Sequence, residues 1–235
     1  LQALNYDVTR ESYINDAPAS TQMQNFGKSV HARYMQALGH DYPMPEDGYQ
    51  GEYVIDIAKD IVKEHGDKFL SMPEEERILL FTKLAEEEML KVQKENLDKF
   101  GVRFDVWFSE ATLHESSKVT KAIECLKERG YAYEEGGALW LKSTAFGDDK
   151  DRALVRSNGQ PTYIASDSAY HLDKFQRGFA KVIDVWGPDH HGYIARTKAA
   201  VAALGCDANK LDIIIYQAVR LFSGGEIVMM SKRAG

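Results

Sequence analysis

The seven residues Met229-Met230-Ser231-Lys232-Arg233-Ala234-Gly235 put two adjacent cations beside a serine, in a stretch that reads as a mobile loop. Such a loop is suited to close over a polyphosphate, because its positive charge neutralises charge developing on phosphoryl oxygens. A lone Ser-Lys-Arg segment is more often a solvated tail, so the reading needs a second feature. Gly187-Pro188-Asp189-His190-His191-Gly192-Tyr193 supplies it, between the strand-like Val182-Ile183-Asp184-Val185-Trp186 and a helical pattern. Gly187 permits close backbone approach, and Asp189 falls where the carboxyl end of a strand meets a helix. Ligands of open α/β sheets bind there, and an acidic side chain accepts from ribose hydroxyls. His190 and His191 suit a carboxylate or phosphate. Asp189 as a helix cap is the alternative. A metal is not favoured, because adjacent histidines diverge in direction and no third ligand lies at metal spacing.

A second constellation is acidic. Tyr163 and Asp167 are four residues apart and share one face if the stretch is helical. Glu110 follows the strand-like Val106-Trp107-Phe108. Two carboxylates and a phenol would suit a guanidinium, whose planar fork prefers bidentate carboxylates. On spacing alone the plainer reading is favoured, in which Asp167 is a surface residue of its helix and Glu110 a loop residue.

The elements that must position these groups follow from periodicity and punctuation. Residues 4–15 alternate and read as a strand. Pro18 opens a helix with Met23, Phe26, Val30, Tyr34 and Leu38 at helical spacing, stopped at Gly39. Residues 41–51, with Pro43, Pro45, Gly48 and Gly51, are a loop. A helix with Tyr53, Ile57 and Ile61 on one face ends at Gly66. Ser71-Met72-Pro73-Glu74 matches a capping box for a long helix striped by Ile78, Phe81, Ala85, Met89 and Val92, whose Glu86-Glu87-Glu88 run faces water. Phe104-Asp105-Val106-Trp107-Phe108 is a strand. Ser116 or Ser117 caps the next helix, which ends at Gly130. Residues 131–141 form a hairpin about Glu135-Gly136-Gly137, and a second strand pair flanks Ser157-Asn158-Gly159-Gln160. From Lys181 the pattern runs strand, helix (194–204), Gly205, strand (211–216), a parallel βαβ unit.

At 235 residues the chain can bury a substantial core. No run approaches the ~18 apolar residues of a membrane span. The N-terminus, Leu1-Gln2-Ala3-Leu4-Asn5, has no initiator Met or signal-peptide pattern and reads as a piece of a longer protein. Cys125 and Cys206 are far apart, which excludes a zinc ribbon and fits a reducing cytosol, with both as small apolar residues. A net charge of −7 argues against broad nucleic-acid affinity, so an RNA contact must be local.

In order along the chain, several stretches resemble the catalytic domain of the arginyl-tRNA synthetases, a class I aminoacyl-tRNA synthetase family. They are Tyr6-Asp7-Val8-Thr9-Arg10-Glu11 with Tyr13-Ile14-Asn15-Asp16-Ala17; Pro45-Glu46-Asp47-Gly48-Tyr49-Gln50-Gly51-Glu52-Tyr53; Phe104-Asp105-Val106-Trp107-Phe108-Ser109-Glu110; Ala169-Tyr170-His171-Leu172-Asp173-Lys174-Phe175; and the Gly187 turn. The resemblance implies an α/β fold, the Rossmann-type parallel-sheet catalytic domain of class I enzymes in incomplete form, with a mainly helical connective insertion. Residues 1–45 are then the remainder of the first Rossmann half, 46–102 the insertion, and 103–235 the second half with hairpins and signature loop. The family's His-Ile-Gly-His segment would fall about one helix before Leu1, and its anticodon-binding domain beyond Gly235.

Carried over by position, Glu110 matches a family acidic residue that contacts the arginine side chain. Tyr163 and Asp167 match the Tyr-x-x-x-Asp that holds the guanidinium, which reverses the preference on spacing. Gly187, Asp189 and His190 match the turn that binds ATP and the amino-acid head. Met230, Ser231 and Lys232 match the loop over the phosphates, with Ser231 and Lys232 as its catalytic pair. The loop usually begins with Lys, whereas Met229 stands there in this chain, leaving phosphate stabilisation to Lys232 with help from Arg233. The implied activity is ATP-dependent ligation of arginine to its tRNA through arginyl-adenylate, with Mg²⁺ accompanying ATP, by a cytoplasmic monomer with no resident metal and no membrane association. Residues 1–235 alone are expected to be inactive, since half of the preorganised charge would be missing. A non-catalytic arginine- or nucleotide-binding module and another class I synthetase, for glutamate or cysteine, stand as alternatives. The acidic set favours a cationic substrate over the latter.

Overall fold

A computed structural model describes residues 1–17 and 20–228. The chain forms two units, Leu1–Ser109 with Leu221–Gly235, and Glu110–Arg220.

In the first unit, β1 (Glu11–Ile14) pairs in parallel with β2 (Val106–Ser109), Glu11 opposite Val106 and Ile14 opposite Ser109. The strand is shorter than the alternation over residues 4–15 predicts. Gln2–Leu4 is instead a 3₁₀ turn ended by Asn5 in the left-handed region at φ 60°. The physical reason is the partner: interstrand bonding begins at Arg10, whose carbonyl accepts from Asp105 and Val106 and whose amide donates to Asp105 Oδ2 at 2.7 Å.

Between these strands lie α1 (Thr21–Ala37), α2 (Glu52–His65) and α3 (Glu74–Lys99). Their apolar faces meet in one core of Phe26, Val30, Tyr34, Ile57, Phe69 and Phe81 with their neighbours. Tyr34 keeps its hydroxyl satisfied by donating to the Gly66 carbonyl at 2.8 Å, as a buried phenol must. The expected opening of α1 at Pro18 lies outside the described residues.

Two local expectations change. The capping box does not form, because Ser71 closes the 3₁₀ turn Lys68–Ser71 and its hydroxyl donates to the Lys68 carbonyl, while Glu74 accepts from Tyr42 Oη at 3.0 Å. Pro73 caps α3 without a side-chain bond. Glu86 does not simply face water. It is half-buried, and burial and then Asp16 push its carboxyl up to about 7.

In the second unit, α4 (Ala111–Glu115) and α5 (Lys118–Glu128) come first. Ser117, at φ 58°, makes no side-chain cap bond to α5. β3 (Ala132–Glu135) and β4 (Ala138–Leu141) form the hairpin expected at Gly136-Gly137. β5 (Arg152–Val155) joins β4 as a third antiparallel strand, and after Asn158-Gly159 only one bridge, Val155 to Pro161, is made. Pro161 has no amide to continue a ladder, and Thr162 already leads into α6 (Tyr163–Gln176).

β6 (Val182–Trp186), α7 (Ile194–Ala203) and β7 (Leu211–Ile215) are the expected parallel βαβ unit, Val182 opposite Leu211 and Trp186 opposite Ile215. Val182, Val201 and Leu211 anchor its core. The chain then returns to the first unit as the hairpin β8 (Leu221–Ser223) and β9 (Glu226–Val228). Among the described residues no helix is long and apolar enough to cross a membrane.

Candidate functional site

Helix α6 carries the acidic constellation. It begins after Thr162, whose hydroxyl donates to the Ala153 carbonyl at 2.6 Å and fixes the helix start against β5. Tyr163 and Asp167 therefore sit one turn apart at the N-terminal end. Both line a cavity of about 190 Å³, together with Arg152 of β5 and Tyr193 and Arg196 at the start of α7. Tyr163 is 74% exposed and Asp167 half-buried, so the pair presents a phenol and a carboxylate to an open recess rather than to the solvated surface of a helix.

The Asp167 carboxyl is raised above its ordinary range. Burial pushes its carboxyl upward and Asp184 adds to that, while His171, Lys174 and His190 pull it down. The two guanidinium groups of the cavity differ. Arg152 donates to Asp148 at 2.7 and 2.8 Å and also to Asp149, holding Asp148 below the usual carboxylate range. Arg196 lies over the Tyr193 ring, 4.1 Å from its centroid, and its buried Nε has no hydrogen-bond partner among the described residues.

Glu110 immediately precedes α4 and is only 4% exposed, which removes the reading of it as a solvated loop residue. It is not among the residues that line the Tyr163–Asp167 cavity. Its helix nonetheless touches α6, through His114 Nε2 and Ser166 Oγ at 3.4 Å.

The turn after β6 is a 3₁₀ segment, Pro188–Tyr193, interposed before α7. A side chain at Gly187 would stand 2.8 Å from Asp189 Oδ1 and 3.4 Å from Tyr216 Oη, so it would have to displace the Asp189 carboxylate, while the backbone angle suits any residue. Asp189 caps neither the turn nor α7. Its carboxylate is 80% exposed and faces His190 Nδ1 at 3.3 Å. Asp189, His190 and Gly187 thus share one exposed turn without lining the cavity at Asp167. Met229, Met230, Ser231, Lys232 and Arg233 lie outside the described residues. Among the described residues no three His, Cys, Asp or Glu side chains gather at metal-binding range.

Behind α6 lies a buried charge cluster that no sequence motif marks. Asp184, on the inward face of β6, accepts from His171 Nε2 at 2.7 Å and from Lys174 Nζ at 2.5 Å. Its signal was present: in Val182-Ile183-Asp184-Val185-Trp186, strand alternation puts Asp184 on the face of Val182, where a charge needs partners. A larger cavity, about 760 Å³, lies in the first unit beside Asp16, Phe26, Glu86 and Leu90, at the carboxyl end of β1, and contains none of the expected site residues.

No protein-family model matches the chain. Whole proteins do. It is 54% identical over 230 residues to the arginine–tRNA ligase of Carboxydothermus hydrogenoformans, covering 98% of this chain and 41% of that protein. It is likewise 54% identical over 235 residues to the arginine–tRNA ligase of Desulforudis audaxviator. Along its whole length the chain is homologous to a segment of the arginine–tRNA ligases.

Solved structures agree. A putative arginyl-tRNA synthetase from Campylobacter jejuni superposes with a TM-score of 0.87 at 38% identity, over 97% of this chain and 50% of that one. The Thermus thermophilus arginyl-tRNA synthetase, at 18% identity and a TM-score of 0.58, shares the fold. The parallel pairs β1–β2 and β6–β7 are therefore parts of a class I synthetase fold. The chain spans about two fifths of the length of the curated arginine–tRNA ligases it matches.

Proposed function

We propose that this chain is the part of an arginine–tRNA ligase that recognises arginine and ATP. The observation that carries the reading is the pairing of Tyr163 with Asp167 at the mouth of one cavity on α6, in a chain with this parentage. A carboxylate and a phenol one helical turn apart offer acceptors to a planar guanidinium, and the buried Glu110 is a second carboxylate for the same end of the substrate. Gly187, Asp189 and His190 take ATP and the amino-acid head, and Met230, Ser231 and Lys232 close over the phosphates. ATP enters with Mg²⁺ on its phosphates, as substrate.

In the whole enzyme the arginine carboxylate attacks the α-phosphorus, forming arginyl-adenylate and releasing pyrophosphate. The arginyl group then passes to a ribose hydroxyl of the terminal adenosine of arginine tRNA, and AMP leaves as the mixed anhydride breaks. No side chain need act as a covalent nucleophile, since positioning and charge stabilisation dominate such transfers. The setting is a cytoplasmic monomer, with residues 46–102 as its helical insertion.

The test is Asp167→Asn in the full-length protein carrying this chain. Losing one charged partner of a desolvated pair costs 2 kcal/mol or more, roughly thirtyfold. Arginine-dependent pyrophosphate exchange should weaken by at least that factor while ATP use changes little. An unchanged arginine kcat and KM would remove Asp167 from the site. Met229, where the family usually has Lys, favours a second reading as a non-catalytic binding module, in which arginine binds but no exchange occurs.

A further inference from the structure

Helix α6 carries more charge on its buried side than packing needs. The side chains of His171, Lys174 and Asp184 are 4%, 9% and 9% exposed. His171 Nδ1 lies 2.7 Å from the Asp167 backbone carbonyl, and Nε2 lies 2.7 Å from Asp184 Oδ2. A carbonyl only accepts. Asp184 is held at about 2, with burial opposed by His171 and Lys174, so it is ionised and also only accepts. An acceptor therefore faces each ring nitrogen of His171. Lys174 Nζ donates to Asp184 Oδ1 at 2.5 Å and sits 4.3 Å from the Tyr170 ring centroid. His171 and Lys174 thus share the Asp184 carboxylate, one turn of α6 beyond Asp167.

Stability alone does not account for this cluster, since buried ion pairs seldom outdo well-packed apolar residues. Its position suggests a use. Among the described residues Asp167 is the one carboxylate lining its cavity, and burial works against its charge. The groups around it are Asp184 from β6, His190 from the turn before α7, Arg196 from α7, Arg152 from β5 and His114 from α4, with Lys118 of α5 paired to Asp173 on α6 at 2.5 Å. Of these, Arg152 is engaged by Asp148 and Asp149.

We propose that His171 and Lys174, anchored by Asp184, are positioning residues that hold Asp167 in its ionised form, ready for a cationic substrate. This rests on the reading of Asp167 as the guanidinium-binding carboxylate. Removing either cation takes away favourable Coulomb energy from the charged form of Asp167, so its protonation should move to higher pH. A helix that lost the cluster but kept its fold would present the same carboxylate, neutral over part of the working range.

The first measurement needs no variant. In the ¹⁵N spectrum of the full-length protein near neutral pH, both ring nitrogens of His171 should be protonated; a ring with one bare nitrogen overturns the proposal. The second is arginine binding as a function of pH. Lys174→Met and His171→Gln should raise the acid-side midpoint by about one pH unit with ATP affinity unchanged, while Lys174→Arg keeps the parent midpoint. Folded Lys174→Met and His171→Gln proteins with an unmoved midpoint overturn the proposal. Asp167→Asn separates the two levels. If it binds arginine as the parent does, the reading of the cavity falls and this inference with it. If it loses arginine while the cluster variants keep the parent pH profile, only this inference falls.

Discussion

His31 on α1 accepts a hydrogen bond from Arg77 on α3, Nε to Nε2 at 3.0 Å, while Arg77 Nη1 donates to the Phe69 carbonyl at 3.1 Å. Arg77 is 6% exposed and His31 1%. Accepting leaves the imidazole neutral, and burial, then Arg77, lowers its proton affinity from the ordinary 6.5. The folded state thus binds this proton less readily than the unfolded chain. The contribution is present above 6.5 and is lost as pH falls below it. His31→Gln should flatten the pH dependence of thermal unfolding on the acid side of 6.5. Arg77→Met should cost about 2–4 kcal/mol, because it strands the His31 and Phe69 acceptors. Denaturant midpoints at two pH values check both.

Glu86 gives the opposite sign. Its folded value of about 7 lies above the ordinary 4.5, so the folded state holds this proton more tightly. Stability should fall as pH rises from 4.5 to about 7 and then level off. Glu86→Gln should stabilise the protein by about 1 kcal/mol at mildly alkaline pH, after discounting for solvent screening, and leave it unchanged in acid. Equal stability of parent and variant at alkaline pH would show that Glu86 and Asp16 do not compete for charge.

Gly187→Ala should barely affect folding, because its φ of −69° suits any residue. The added methyl must displace the Asp189 carboxylate. ATP KM should therefore rise several-fold while arginine affinity holds, as steady-state kinetics on the full-length protein would show.

Lys232→Ala tests the loop outside the described residues. A cation that meets phosphoryl charge only as it develops should lower kcat by roughly a hundredfold, with little change in arginine KM. A full rate of activation would take phosphate chemistry away from this loop.

What could be read from the chain followed how local each determinant is. The Tyr163–Asp167 pair was legible because four-residue spacing becomes adjacency as soon as α6 is a helix. The β6–α7–β7 unit was legible because strand, helix and strand each carry their own period. Glu110 was not: nothing beside it in sequence indicates that it is buried. Ser71 and Glu74 matched a cap by spacing, but the preceding 3₁₀ turn took the serine hydroxyl first. Glu86 belonged by composition to a solvated acidic face, but burial and then the distant Asp16 raise its carboxyl. Asp184 stood on the inward register of its strand, a signal that motif matching passes over.

The parallel pairing of β1 with β2 has a kinetic consequence. Its first contact joins Arg10 to Asp105, 95 residues away in the chain. Closing so long a flexible loop is entropically costly, and such non-local contacts slow folding. α1, α2 and α3 lie wholly inside that loop and share their own core, so they can assemble first and bring the strand ends together. These three helices then serve as a folding clamp for the sheet. Pulse-labelled hydrogen exchange should find the amides of α1 and α3 protected before those of Glu11–Ile14.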